Sequence, residues 1–326
     1  MCSGPIEVIH ARGQRRDWSE LPRDIVSELE AFLGDQIISA STMHGGFSPG
    51  IAARVTTSSG MHVFVKAVSA ESNIDAAIFH RREINVATGL NTVAELHVPR
   101  LLWSWDAPES PWVALAFENV EGSQPSQPWI ESELNQVIVA IEQLSIRLTP
   151  SPLTQPAISL ARNTGVISKN HWQYRVDNPA AGLDSWSTRN LLKLADLSSA
   201  AADAVNGSTL LHMDLRADNM LITHQGDIRI VDWPHAGIGD AWLDPMFMAA
   251  SVELNGGPKA SQFFSRFESA RNADQDAVTI ALASTAGFFI SQSLEPDIPG
   301  LPGLRSFQAA QGRIARNWLA ERLGWD

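Results

Sequence analysis

Cysteine is nearly absent from this 326-residue chain: Cys2 stands alone, which excludes an internal disulfide. The first thirty residues lack an apolar targeting segment, so a reducing cytoplasm is the expected compartment. No stretch reaches the roughly 18 consecutive apolar residues that a membrane span needs. Runs of Lys and Arg are missing too, and the formal net charge is −12. The chain therefore carries no electrostatic footprint for nucleic acid or an anionic membrane. Internal repeats and low-complexity tracts are also absent, and with 44% hydrophobic and 18% charged residues an ordered globular fold is expected throughout. Lysine is scarce: 4 of the 24 basic residues, the rest being Arg. A lysine inside an apolar strand stands out against that background.

Hydrophobic periodicity sets out the elements. Leu21, Ile25, Leu29 and Leu33 recur at helical spacing and Gly34 is a stop, predicting a helix over 19–34. QIISASTM, IAARVTT and MHVFVKAV read as three antiparallel strands separated by the turns HGGFSPG and Ser-Ser-Gly. A helix over 74–90 follows, then the strands HVPRLLWSWD and PWVALAFENV. The Gly-, Ser- and Pro-rich GSQPSQP at 122–128 marks the boundary between a domain 1–121 and a domain 122–326. Beyond it the pattern is mainly helical: a helix from Trp129 to about Leu148, an irregular Pro-rich stretch at 149–181, and helices at about 241–254, 259–290 in pieces and 304–323. Three short strands interrupt it, TLLHMDL, NMLITHQ and DIRIVDW.

HMDLRADN, His212 to Asn219, sets charged residues between two apolar runs and is expected as a loop between short strands. Thirteen residues on, Asp232 ends IRIVD. Asp214, Asn219 and Asp232 converging from one hairpin would form an all-oxygen set suited to a hard cation such as Mg²⁺ with nucleotide phosphates. Upstream, Lys66 lies in VFVKAV, where a charge needs a partner to offset its desolvation. Glu83, 17 residues later on the 74–90 helix, can provide it, with Glu71 and Glu95 as flanking alternatives.

Together these motifs resemble the aminoglycoside phosphotransferase family of the protein-kinase-like superfamily, whose loop has the form His-x-Asp-x-x-x-x-Asn followed by a metal-binding Asp. The resemblance spans roughly residues 40–250. It implies an α+β, bilobal, protein-kinase-like fold, with a small N-terminal antiparallel-sheet lobe that binds nucleotide and a larger, mainly helical C-terminal lobe that carries catalysis and substrate. It implies ATP and Mg²⁺ as cofactors and a hydroxyl-bearing small molecule as acceptor, cationic amines being among the candidates. By position, Asp214 would be the catalytic base, Asn219 and Asp232 the metal ligands, and His212 a brace for the loop around Asp232. Arg216 would contact the γ-phosphate. Lys66, oriented by Glu83, would bind the α and β phosphates. Gly46, Ser48 and Gly50 would belong to the turn over the phosphates, with Pro49 unable to donate, and the backbone from Glu118 to Val120 would meet the adenine edge. Met213 departs from the pattern, standing where the family usually has Gly.

WPHAGIGDAWLDP continues the likeness with Gly239, Asp240 and Asp244, the two aspartates read as helix caps and loop braces. Its 11 residues from Asp232 to Asp244, with no long activation segment, argue against a protein substrate. Trp172, Trp186, Trp233 and Trp242 permit a cation–π acceptor pocket, core packing being the alternative. Two rival functions remain at this point: an inactive kinase-like nucleotide-binding protein, and a metal-dependent hydrolase using His212, Asp214, Asp232 and His235.

Overall fold

In the computed structural model, which describes residues 15–43, 50–155, 158–298 and 301–326, the first apolar stripe closes as α1 (Arg23–Leu33). Ile25, Val26 and Leu29 are its buried face, and Gly34 ends it in the left-handed conformation at φ 66°. There follow β1 (Ile37–Thr42), β2 (Ile51–Thr57), β3 (His62–Ser69), α2 (Ile74–Leu90), β4 (Leu101–Trp105), β5 (Trp112–Glu118) and β6 (Gly122–Ser123). The chain continues through α3 (Glu131–Arg147), α4 (Gly165–Ser168), α5 (His171–Asp177), α6 (Ser185–Ser199), α7 (Ala201–Ala204), β7 (Thr209–Leu211), β8 (Met220–Thr223), β9 (Ile228–Ile230) and β10 (Gly237–Gly239). It ends with α8 (Leu243–Leu254), α9 (Ala260–Phe264), α10 (Glu268–Arg271), α11 (Gln275–Ser293) and α12 (Leu304–Leu323). No helix of the described residues is long and apolar enough to cross a membrane.

The elements form two compact units. One draws on residues 10–124 together with 218–235, the other on 125–217 together with 236–326.

The first unit is built on a five-stranded antiparallel sheet in the order β1-β2-β3-β5-β4. Alternation along β3 explains its two faces. Val63, Val65 and Ala67 point to one side, where they pack with Val55, Ala114 and Ala116 under α1 and the ring of Trp18. Phe64, Lys66 and Val68 point to the other, where Val68 and Phe64 join Ala76, Ala77 and Ala87 of α2. Asn73 caps α2, its side chain accepting from Ala76 N–H at 2.8 Å. A second, three-stranded sheet, β6-β8-β9, completes this unit.

The second unit is helical around the hairpin-like pair β7–β10. Residues 149–181, expected to be irregular, contain the short helices α4 and α5. Trp172 of α5 is fully buried and donates Nε1–H to Ala283 O of α11 at 2.7 Å. That anchoring contact is too distant in sequence to leave a local pattern.

Candidate active site

Lys66 projects from the α2 side of β3, at the level where Glu83 occupies the buried stripe of α2. Its ammonium donates to Glu83 Oε1 at 2.7 Å, to Glu83 Oε2 at 2.9 Å and to Asp232 Oδ1 at 2.6 Å. A lysine has three N–H donors, and these contacts engage all of them. The ring of Phe117 lies 5.8 Å from the nitrogen. Burial acts to lower the Lys66 value, but the Asp232 and Glu83 carboxylates outweigh it and raise it, so the ammonium stays charged. Burial raises Glu83 above the ordinary carboxylate value, opposed by Lys66 and by Trp233 N–H, which donates to Glu83 Oε1 at 3.3 Å.

Asp232 follows β9 with a left-handed φ of 66°, a conformation that aspartate tolerates better than most residues. Asn219 leads into β8, and its carbonyl accepts Val231 N–H at 3.0 Å beside the Met220–Ile230 pair. Asn219 and Asp232 thus stand at the same end of one hairpin. Among the described residues no three His, Cys, Asp or Glu side chains gather into a metal cage. Mg²⁺ at nucleotide sites needs only one or two protein ligands, the rest being phosphate and water oxygens. A carboxylate and an amide oxygen at one hairpin end fit that requirement.

The sequence suggested that Asp214 shares this hairpin. It does not. β7 pairs with β10, while β8 pairs with β6 and β9, so 212–219 links two sheets. The partner β10 is the tripeptide Gly-Ile-Gly, which has no strand signature.

In the second unit, His212 is fully buried and its Nδ1 accepts Asp214 N–H at 3.2 Å. The buried carboxylate of Asp244 accepts His212 N–H at 2.8 Å and Met213 N–H at 2.7 Å. It is therefore a brace for the loop, as expected, and burial raises its value against the pull of His212. Asp240 braces too, accepting Asn206 N–H at 2.8 Å. Met213 has φ 65°, which explains why glycine suits this position in the family pattern. Its Sδ would lie 2.6 Å from a Cβ on Gly237, so Gly237 makes room for the Met213 side chain. Asp214 and Arg216 face each other at 3.4 Å, with side chains 31% and 18% exposed. The Arg216 guanidinium lies over the ring of Phe307 of α12, 5.5 Å from its centroid. No motif in the sequence marks Phe307.

Of the remaining expected residues, Gly46 and Ser48 lie outside the described residues. Gly50 has φ 107°, and a Cβ there would meet Ala67 O at 2.6 Å, so glycine is required. Glu118 ends β5 with its N–H donated to Arg100 O at 3.0 Å. Trp172, Trp186, Trp233 and Trp242 are all buried, which makes them packing residues first.

His80, one turn before Glu83, is a buried group the sequence did not single out. Burial first, and then the Lys66 charge, lower its value from 6.5 to about 4. Above pH 6.5 both folded and unfolded chains hold it neutral. As pH falls from 6.5 towards 4, the unfolded chain takes up a proton that the folded one refuses, so stability is lost, about 2 kcal/mol by pH 5. Urea unfolding at pH 7 and pH 5 should show that loss in the wild type, and His80→Gln should lack this share of it. An equal loss in the variant would refute the assignment.

The sequence matches the phosphotransferase enzyme family over residues 43–277. No curated protein matches it. Among solved structures, spectinomycin phosphotransferase APH(9)-Ia, in complex with ADP and spectinomycin, is 15% identical with a TM-score of 0.60, covering 95% of this chain and 98% of that one. An amicoumacin kinase in complex with AMP-PNP and Ca²⁺ is 13% identical, with a TM-score of 0.57 and coverage of 93% and 95%. Choline kinase LicA from Streptococcus pneumoniae is 15% identical, with a TM-score of 0.55 and coverage of 91% and 98%. At such identities the likeness is one of fold, and that fold is protein-kinase-like. The family match, which takes in 235 of the 326 residues and every charged group described around Lys66 and Asp214, makes this chain a member of the aminoglycoside phosphotransferase family of phosphotransferase enzymes.

Proposed function

We propose that this chain transfers the γ-phosphate of ATP, bound with Mg²⁺, to a hydroxyl group of a small molecule in the cytoplasm. The observation that carries this reading is the Lys66 ammonium clasped by both oxygens of Glu83 and by Asp232. In this reading the Lys66 ammonium gives up one of these contacts to an α or β phosphate oxygen when the nucleotide binds, and Asp232, so released, would hold a cation.

In this reading Asn219 and Asp232 hold Mg²⁺, whose chemistry is to neutralise charge on the phosphate oxygens. Asp214 takes the proton of the acceptor hydroxyl as its oxygen bonds to the γ-phosphorus, while the bond from that phosphorus to the β–γ bridging oxygen breaks and ADP leaves. Arg216 sets its charge against the transferring group, and Phe307 steadies it. His212 and Asp244 hold the Asp214 loop by its backbone. Gly46, Ser48 and Gly50, which lie between β1 and β2 in the sequence, would contact the phosphates. Glu118, whose N–H is engaged, would meet adenine through its carbonyl, and Val120 through its N–H. The acceptor proposed is a hydroxylated amine, supported by the acidic chain and by the spectinomycin and choline chemistry named for structures of the same fold.

A coupled assay of ADP release against aminoglycosides, macrolides, choline-like amines and sugars tests this. Acceptor-dependent ADP release at a rate of about 1–100 s⁻¹, the usual kinase range, is the expected result. Mg·ATP binding with no transfer to any acceptor would favour the inactive nucleotide-binding alternative.

A further inference from the structure

We infer that Arg15 is a further phosphate-binding cation of the nucleotide site, beside Lys66 and Arg216, brought there by the segment that precedes α1. The inference rests on the proposed nucleotide reading. Arg15 forms an isolated parallel bridge with Gly50, and Arg16 N–H donates to Gly50 O at 3.0 Å. Trp18 N–H donates to Thr42 Oγ1 of β1 at 3.3 Å, and the Trp18 ring packs into the core on the α1 side of the sheet. The segment is therefore fastened to the sheet through both backbone and side chain.

Gly50 stands immediately before β2. It lies against Ala67 O and the Val68 side chain, the residues that follow Lys66 on β3. A residue bridged to Gly50 is thus delivered to the Lys66 end of the sheet. Electrostatics agrees with the backbone. The Asp232 carboxylate is the charge that acts on the part-buried Arg15 guanidinium, and the charge of Arg15 is in turn felt by His80 beside Lys66.

Charge balance gives Arg15 its purpose. Lys66, Glu83 and Asp232 sum to −1, and Mg²⁺ at Asp232 would bring the cluster only to +1 against a triphosphate that is itself strongly anionic. Arg15 would raise it to +2. Arginine also suits the task because its five N–H donors can serve Asp232 and a phosphate oxygen at once, in a fork that matches phosphate geometry. A lysine, which presents a point charge, would do so less well.

The test is calorimetric titration of wild type, Arg15→Ala and Arg15→Lys with Mg·ATP and, separately, with adenosine, together with a thermal melt of each. Arg15→Ala should bind Mg·ATP about tenfold more weakly, the loss expected for one charge-assisted contact. Adenosine affinity should be unchanged, and Arg15→Lys should recover part of the loss. Wild-type Mg·ATP affinity in Arg15→Ala, or an equal loss for adenosine, would overturn the inference while leaving the nucleotide reading intact. If the wild type binds neither Mg·ATP nor Mg·GTP, the nucleotide reading fails and the inference with it. Should Arg15→Ala not fold, Arg15→Gln, which keeps a polar side chain without the charge, replaces it and the same outcomes decide.

Discussion

Asp214→Asn should lower turnover by about 10²–10⁴-fold, the range for loss of a positioned general base, with Mg·ATP affinity unchanged. The substitution keeps size and shape, and it leaves in place the hydrogen bond from the backbone N–H of residue 214 to His212. The loop's main anchors are on Asp244, which accepts two consecutive backbone N–H groups, so the variant should fold with the loop in position. Turnover measured at saturating ATP and acceptor separates the effect from binding, because a base acts in the transition state and its loss falls on kcat. Full turnover in a variant of unchanged melting temperature would remove the base assignment.

Asp232→Asn should abolish the Mg²⁺ dependence of nucleotide binding. Asn is the appropriate replacement because it tolerates the left-handed backbone at φ 66°, where Ala would add strain. The variant removes the charge that would hold the cation and one of the two carboxylates on Lys66. Lys66 keeps Glu83 at 2.7 and 2.9 Å, so the pair on the sheet persists and gross unfolding is not expected. Calorimetric titration with ATP in Mg²⁺ and in EDTA should give two similar weak affinities, where the wild type shows a difference of at least about tenfold, equivalent to about 1.4 kcal/mol. Unchanged Mg·ATP affinity would exclude Asp232 as a metal ligand.

What was legible in the sequence, and what was not, follows from the range of each interaction. α2 occupies the residues its pattern predicts, because Ala76, Ala77, His80, Glu83, Val86, Ala87 and Leu90 form a stripe that is written locally. The Lys66–Glu83 pair was readable because an ammonium in an apolar strand demands a carboxylate, and the helix that packs on that strand supplies one. The second partner of Lys66 was not. Asp232 lies 166 residues away, and only the folding of β8 and β9 into the first unit brings it there. The strand pairing around Asp214 was misread for a related reason: β7 and β8 are consecutive apolar runs, but each finds its partner elsewhere, and Gly237–Gly239 looks like a turn. Arg15 and Phe307 are invisible for want of any motif. Their positions are set by a backbone bridge in one case and by a helix 91 residues downstream of Arg216 in the other.

The assignment of residues 218–235 to the same unit as the first 124 also bears on how the chain is made. A ribosome that has finished β5 and β6 has not yet supplied the strands that β6 joins or the carboxylate that completes the grip on Lys66. Another 111 residues must emerge before His235 closes the set, about 6–22 s at ordinary translation rates. Until then β6 has no neighbour and Lys66 leans on Glu83 alone. The nucleotide end of this protein begins first and is completed only after the whole of the second unit's first segment, residues 125–217, has been synthesised.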